Sequence, residues 1–279
     1  MPNTLTGAPA AAAIYAQVRE ITARLDVPPC LAAVSVGAQP DDLAYLRSIA
    51  QAADANGITV RPVALPADCA PDALTRTLRS LSADGAVHGV LLLRPLPKAL
   101  RAQALLDTLD PRKDVDGMTT ASLGALVTGA AGFAPCTAEA CMALLRAHGI
   151  DPAGKRVTVV GRSLVIGRPA ALLLTRADAT VTLCHRQTPD LAARCRDADI
   201  LLAAAGTPGF ITRDFVRPGQ IVLDAGATAA PDGTLRGDVT DAAAAVPAAC
   251  TPVPGGIGSV TTALLLLHTV QAAEKSHHF

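Results

Sequence analysis

The sequence predicts an α/β protein built as two domains joined near residue 135, and three observations predict it. Helical stretches of a dozen or so residues alternate with short apolar runs along nearly the whole chain, the pattern of βαβ units and a parallel sheet. The apolar runs lack inward–outward alternation, as strands covered on both faces do. Between 107 and 135 the alternation breaks into a Pro/Gly/Thr-rich connection containing Asp110-Pro-Arg-Lys-Asp-Val-Asp-Gly117.

In chain order, a helix over about 10–25 leads into a strand at 31–37. A helix at 41–56 leads into a strand at 58–65, and a helix at 71–82 into a strand at 89–93. After the connection come a helix at 137–148 and a strand at 156–160, then strands at 180–184, 200–204 and 220–224. A Pro/Gly-rich loop, Thr251-Pro-Val-Pro-Gly-Gly-Ile-Gly258, precedes a last helix at 261–274.

Composition narrows the class. Of 279 residues, 50% are hydrophobic and 17% charged, which allows a sizeable core and excludes global disorder. No run reaches the ~18 apolar residues of a membrane span. No basic residue precedes Arg19, so the alanine-rich start is not read as a secretory signal. Basic and acidic residues balance at 24 each without a basic cluster, which argues against a nucleic-acid surface. Seven cysteines without a CxxC pair fit reduced thiols in a cytoplasmic protein better than disulfides or zinc. His88, His148, His185 and His268 stand singly, so no metal is expected. Lysines are few: Lys98, Lys113, Lys155 and Lys275.

The strongest local motif is Val157-Thr-Val-Val-Gly-Arg-Ser-Leu-Val-Ile-Gly-Arg-Pro169. An apolar strand ends in Gly161, a loop carries Arg162, Ser163 and Ile166, and Gly167 opens a helix. Backbone N–H groups at such a helix start cradle a pyrophosphate, and glycine lets the backbone approach it. The spacing is not a strict G-x-G-x-x-G, and a tight βα turn without ligand is the alternative. The next strand ends in His185 and Arg186, where an NAD site usually places Asp or Glu on the ribose. Arg162 and Arg186 together suit a 2′-phosphate, which favours NADP over NAD; singly, either reads as a solvated surface residue. Ala205, Gly206 and Thr207 follow the strand at 200–204, where small residues let a nicotinamide ribose come close.

Several segments together resemble the methylenetetrahydrofolate dehydrogenase/cyclohydrolase family. They are Pro95-Leu-Pro-Lys98, Lys113-Asp-Val-Asp-Gly117, Pro135-Cys-Thr137, Gly161-Arg-Ser163 with Gly167-Arg-Pro169, and Thr251-Pro-Val-Pro-Gly-Gly-Ile-Gly258. Their order and spacing match from about residue 10 to residue 275. The resemblance implies an N-terminal α/β catalytic domain at 1–136, completed by a C-terminal helix at 259–279. It implies a Rossmann-type NADP-binding domain at 137–258, a cleft between the two, and a homodimer. The implied activities are oxidation of methylenetetrahydrofolate to methenyltetrahydrofolate, with hydride passed to NADP, and hydrolysis of that product to formyltetrahydrofolate. Tyr45 and Asp116 become the candidate catalytic residues, Tyr45 stacking in the folate pocket and Asp116 holding the pterin. Leu93, Pro95, Pro254, Gly255 and Gly256 join them as substrate-binding candidates.

The departures matter as much. The family's Tyr-x-x-x-Lys reads Tyr45-Leu-Arg-Ser-Ile49 here, and its Gln-Leu before Pro-Leu-Pro reads Leu93-Arg94. Its Gly-Pro-Met-Thr is Gly258-Ser-Val-Thr261, and an asparagine is replaced by Ser122. A buried amide that loses its partner costs ~1–3 kcal/mol, whereas replacing both sides is nearly neutral, so the paired loss is coherent. Arg47 is expected to point away from Ile49, and Arg94 to alternate to the opposite strand face from Leu93. Both remain candidates for a folate's glutamate tail. The expectation is an NADP-dependent dehydrogenase whose cyclohydrolase activity is lost or very weak. The alternatives are a dehydrogenase repurposed for a C–N or N–N bond of another small molecule in specialised metabolism, and a folate- or NADP-binding pseudoenzyme.

Overall fold

A computed structural model describes residues 2–230 and 233–276. Residues 277–279, which the reading above places at the end of the completing helix, lie outside the described residues. Along the chain run β1 (Asn3–Thr4), α1 (Ala8–Thr22), β2 (Cys30–Val36), α2 (Pro40–Asp54), β3 (Thr59–Leu65), α3 (Pro71–Ala83) and β4 (Gly89–Leu92). Three helices follow, α4 (Gln103–Leu106), α5 (Thr120–Thr128) and α6 (Cys136–Ala147). Then come β5 (Arg156–Val160), α7 (Gly167–Arg176), β6 (Thr180–Cys184), α8 (Leu191–Asp197), β7 (Ile200–Ala203) and β8 (Ile221–Asp224). The chain continues through β9 (Thr228–Ala229), β10 (Leu235–Arg236), α9 (Asp241–Ala244) and β11 (Ala249–Cys250) to α10 (Ile257–Ser276).

The chain divides into two compact units. One comprises the residues up to Ala12 with Thr137–Thr261, the other Ala13–Cys136 with the chain from Thr262 on. This corrects the expected 1–136 domain at its start. β1 pairs in parallel with β11, Asn3 opposite Ala249, and so adds an edge to the other unit's sheet.

In the unit of Ala13–Cys136, β2 lies between β3 and β4 in a parallel three-stranded sheet. β2 is buried along its middle, as a central strand covered on both faces should be. β3 is more exposed and contains Pro62, which an edge position tolerates because no ladder N–H is needed there. α3 starts with Pro71 in its first turn and turns Leu74, Leu78 and Leu81 inward at helical spacing. Those leucines pack with Ala32, Val34, Val90 and Leu92 of the sheet and with Leu100, Leu106 and Leu109 of the connection.

The other unit holds a six-stranded parallel sheet in the order β1-β11-β8-β7-β5-β6. From β5 the chain steps outward to β6, then crosses to β7 on the other side of β5. That reversal is a topological switch point, and ligands of open α/β sheets bind outside the carboxyl ends of the strands there. A core of Val160, Leu201, Ala203, Ile211 and Val222 lies beneath it. α10, whose residues from Thr262 on belong to the unit of Ala13–Cys136, is apolar and buried over most of its length.

Candidate functional site

At the switch point, Gly161 ends β5 and Gly167 opens α7. A Cβ on Gly161 would lie 2.0 Å from Ala204 O, and its φ of +130° suits only glycine. A Cβ on Gly167 would lie 1.9 Å from Gly161 O. The two glycines therefore let three backbone segments close on one another. Between them, Ser163 Oγ accepts from Ile166 N at 3.1 Å, and Arg162 is exposed. No side chain caps the start of α7; Arg168 N donates to Ser163 O at 3.0 Å and Pro169 carries no N–H, so the donor at the helix start that suits an anion is Gly167 N.

The loop after β7 is held by a residue that sequence reasoning missed. Asp238, fully buried, accepts from Ala205 N at 2.5 Å, Gly206 N at 3.0 Å and Thr207 N at 2.8 Å. Asp224 at the end of β8 in turn accepts from Gly226 N, Asp238 N and Val239 N, each at 2.9 Å. Burial pushes the Asp224 carboxyl up to about 6 despite those three donors. Arg186 reaches this loop: its Nη2 donates to Thr207 Oγ1, and its guanidinium lies 5.9 Å from the Phe210 ring centre. His185 uses its backbone N–H on Thr188 Oγ1 and its ring Nδ1 on Gln187 N, closing the turn after β6. Gly161, Arg162, Ser163, Ile166, Gly167, His185, Arg186, Ala205, Gly206 and Thr207 thus all belong to the loops following β5, β6 and β7 or to the start of α7.

Pro254, Gly255 and Gly256 also lie in this unit. Val253-Pro254 is a cis peptide, Gly255 has φ +96°, and Gly255 O accepts from Gly7 N at 2.8 Å. The remaining substrate candidates, Tyr45, Leu93, Pro95 and Asp116, lie in the other unit.

There, Asp114 sets the turn that presents Asp116. Asp114 is fully buried and accepts from Met118 N (2.9 Å), Thr119 N (2.8 Å) and Ser122 Oγ (2.6 Å). Ser122, at the family's asparagine position, is thus part of the support beneath the turn. Gly117 follows with φ +62° and no room for a Cβ, which would lie 2.6 Å from Pro135 N. Lys113 is committed structurally: its Nζ donates to Leu81 O and Asp84 O at the end of α3.

Around Asp116 stand Arg94, Asp114, Cys136 and His268. Burial outweighs the Arg94 charge and the Cys136 hydrogen bond, pushing the carboxyl up to about 6. His268 Nδ1 lies 2.8 Å from Val115 O, and its ring packs on Phe133 at 4.7 Å between centres. Tyr45 as a residue keeps 41% of its surface exposed. Burial of its hydroxyl end, then the charges of Asp116 and Cys136, push the phenol pKa upward against a hydrogen bond with Thr262. One helical turn further along the same face of α2, Ile49 is fully buried.

β4 ends at Leu92, Leu93 N still donates to Val34 O at 2.9 Å, and a cis bond joins Arg94 to Pro95. The Arg94 guanidinium is desolvated and feels the charges of Asp116 and Asp114. Arg47 is exposed.

Comparison with known proteins decides the relationship. The profile described as tetrahydrofolate dehydrogenase/cyclohydrolase, catalytic domain, matches residues 5–116, and that of the NAD(P)-binding domain matches residues 135–277. The chain belongs to the tetrahydrofolate dehydrogenase/cyclohydrolase family. The bifunctional protein FolD 1 of Rhodococcus jostii is 48% identical over 277 residues, covering 98% of this chain and 93% of the relative. That of Chloroflexus aurantiacus is 46% identical over 258 residues, covering 92% and 90%. The Trypanosoma brucei methylenetetrahydrofolate dehydrogenase-cyclohydrolase, solved with NADP cofactor and inhibitor, superposes with a TM-score of 0.92. It is 36% identical, covering 100% of this chain and 99% of that one.

This member of the family is an oxidoreductase with an NAD(P)-binding domain. Its described residues contain no group of three or more His, Cys, Asp or Glu able to hold a metal ion, and no helix long and apolar enough to cross a membrane. Asp238 and Asp114 are the positioning residues the sequence reading passed over. The available signal was local: each is an Asp flanked closely by glycine in a loop between elements, in Gly237-Asp238 and in Asp114-Val-Asp-Gly117.

Proposed function

We propose that this protein is an NADP-dependent dehydrogenase that oxidises methylenetetrahydrofolate to methenyltetrahydrofolate, with its cyclohydrolase step lost or nearly so. The observation that carries the proposal is the state of Ile49. It is a fully buried hydrocarbon at the family's lysine position, while the Gly161–Gly167 approach and the Asp116 turn are kept.

The residues around the switch point fit a dinucleotide. Gly167 N at the start of α7 would donate to the pyrophosphate, and Arg162 and Arg186 would take the 2′-phosphate of NADP. Ala205–Thr207, fixed from below by Asp238, flank the nicotinamide ribose. When bound, the cofactor supplies the hydride acceptor. Asp116, ionised above about pH 6, accepts from the N–H groups of the pterin, and the partly exposed Tyr45 offers its ring for stacking.

Oxidation breaks one C–H bond of the substrate's methylene carbon, whose electron pair leaves as hydride while the adjacent nitrogen lone pair forms the C=N bond. No protein group has to accept a proton, so alignment carries the step. Hydrolysis does need proton transfer, worth ~10²–10⁴ in rate, and neither Ile49 nor Leu93 can provide it. On the family resemblance the enzyme acts as a cytoplasmic homodimer on this small-molecule substrate, without nucleic-acid or membrane partners.

The test is to incubate the purified protein with methylenetetrahydrofolate and NADP and follow methenyltetrahydrofolate absorbance, with a parallel decay assay for its hydrolysis. Accumulation of the methenyl product is the expected result. Equal rates of formation and hydrolysis would remove the proposed loss. No turnover alongside intact NADP binding would favour a repurposed dehydrogenase.

Cofactor choice has its own check. Arg186→Ala removes a charged donor, a change worth ~1.5–3 kcal/mol, so kcat/KM for NADP relative to NAD should fall roughly 10- to 100-fold. An unchanged ratio in steady-state assays with the two cofactors would remove Arg186 from the phosphate site.

A further inference from the structure

Arg94 has an unspent hydrogen-bond donor. Its Nε is buried and has no partner. Buried donors are nearly always paired, and one left open on a charged group calls for an explanation. The backbone that carries it is fixed: Leu93 N donates to Val34 O at 2.9 Å, and Leu96 is buried in the core of this unit. The guanidinium therefore does not hang free in solvent. Asp114, one of the two carboxylates whose charge reaches Arg94, already accepts from two backbone N–H groups and the Ser122 hydroxyl. Asp116, the other carboxylate whose charge reaches Arg94, is the one expected to hold the substrate.

We propose that Arg94 contacts the substrate. Its guanidinium donates to a carbonyl oxygen of the bound heterocycle, while Asp116 accepts from the neighbouring N–H groups of the same ring. A cation-bearing fork beside a carboxylate reads the donor–acceptor edge of a cyclic amide, and both bonds are charge-assisted. This inference rests on the folate reading of the site and adds to it the residue that selects the ring. It also gives meaning to three neighbouring departures from the family pattern. The cation is absent at Ile49 and the amide at Leu93, but a cation has been introduced at the adjacent Arg94. A guanidinium stays protonated at working pH, so it binds an oxygen without taking a proton from water. Substrate recognition is thereby retained in a site that no longer hydrolyses.

Arg94 also acts on Asp116. The groups facing that carboxyl are Arg94, Asp114, Cys136 and His268, with Tyr45 close enough to feel its charge. Among them the Arg94 cation is the main charge that favours the ionised carboxylate. Without it, Asp116 protonates at higher pH and loses its acceptor role sooner as the solution is acidified.

The experiment compares wild type, Arg94→Leu and Arg94→Lys by calorimetric titration with tetrahydrofolate and by steady-state kinetics with methylenetetrahydrofolate and NADP across pH 5–9. Arg94→Leu should weaken tetrahydrofolate binding and raise KM for the folate roughly 10- to 100-fold, with KM for NADP unmoved. The acid limb of kcat/KM should shift upward in pH, and Arg94→Lys should restore that limb while recovering only part of the affinity. Wild-type binding and turnover that Arg94→Leu leaves unchanged, or an acid limb that stays in place, would overturn the inference alone. A wild type that neither binds tetrahydrofolate nor turns over the methylene substrate would overturn the folate reading and the inference with it.

Discussion

Replacing Ile49 with lysine, Leu93 with glutamine and Arg94 with leucine in one chain is expected to raise methenyltetrahydrofolate hydrolysis at saturating folate by about 10²–10⁴-fold, the range of general acid–base assistance, while KM for the folate rises with the loss of Arg94. All three changes are needed for reasons that differ. Ile49→Lys alone places an ammonium where the native side chain has no exposed surface. An uncompensated buried charge destabilises by ~3–5 kcal/mol, so the single variant should show a clear drop in denaturant midpoint and little new activity. Leu93→Gln supplies the amide that would orient the lysine, and Arg94→Leu removes the competing cation. The decay of methenyltetrahydrofolate in the absence of NADP measures the gain. A folded triple variant with intact NADP binding and no hydrolysis at saturating folate would mean that Ile49 and Leu93 are not what limits hydrolysis, and would remove that part of the proposal.

The reading of Arg94 shows where sequence reasoning stops. The alternation of helices with apolar strands was legible because strands buried on both faces must be apolar throughout, and β2, β5, β7 and β8 are such strands. The Gly161–Gly167 turn was legible because close backbone approach leaves glycine as the fitting residue. Arg94 follows the end of β4, and the pattern of apolar and polar residues does not say that its guanidinium is desolvated and within reach of the charges of Asp116 and Asp114. β1 was not legible because two residues carry no period, and its place depends on backbone pairing with β11, far along the chain. Asp114 and Asp238 were passed over for a related reason. Each accepts mainly backbone N–H groups, and Asp238 reaches across 31–33 residues to do so. Backbone donors leave no mark on residue identity. Of the substrate candidates, Tyr45 and Asp116 meet in one unit, and that much rests on chemistry visible in the motifs themselves.

Gly167→Ala is expected to be among the most damaging single changes that delete no polar group. In an ordinary helix the substitution would help, since alanine is about 0.8–1 kcal/mol the better helix former. Here the new methyl would lie 1.9 Å from Gly161 O and 3.0 Å from Arg162 N, both backbone atoms. Gly161 is itself closely approached, since a Cβ added there would lie 2.0 Å from Ala204 O. The start of α7 must therefore move away from the loop, at a cost of at least ~1–3 kcal/mol for overpacking. A displacement of about 1 Å in a positioning element is enough to lower turnover roughly 100-fold. The expected result is a lower melting temperature, and a kcat/KM for NADP down by about two orders of magnitude, with tetrahydrofolate binding to the other unit retained. Gly124→Ala is the matching control: it lies in α5 with nothing within 4 Å of its added Cβ. That variant should gain about 0.4–1 kcal/mol of stability and keep its kinetics. If the two alanine variants behaved alike, the close approach of β5, α7 and the loop after β7 would not be what shapes the cofactor site, and the NADP assignment would lose its structural support.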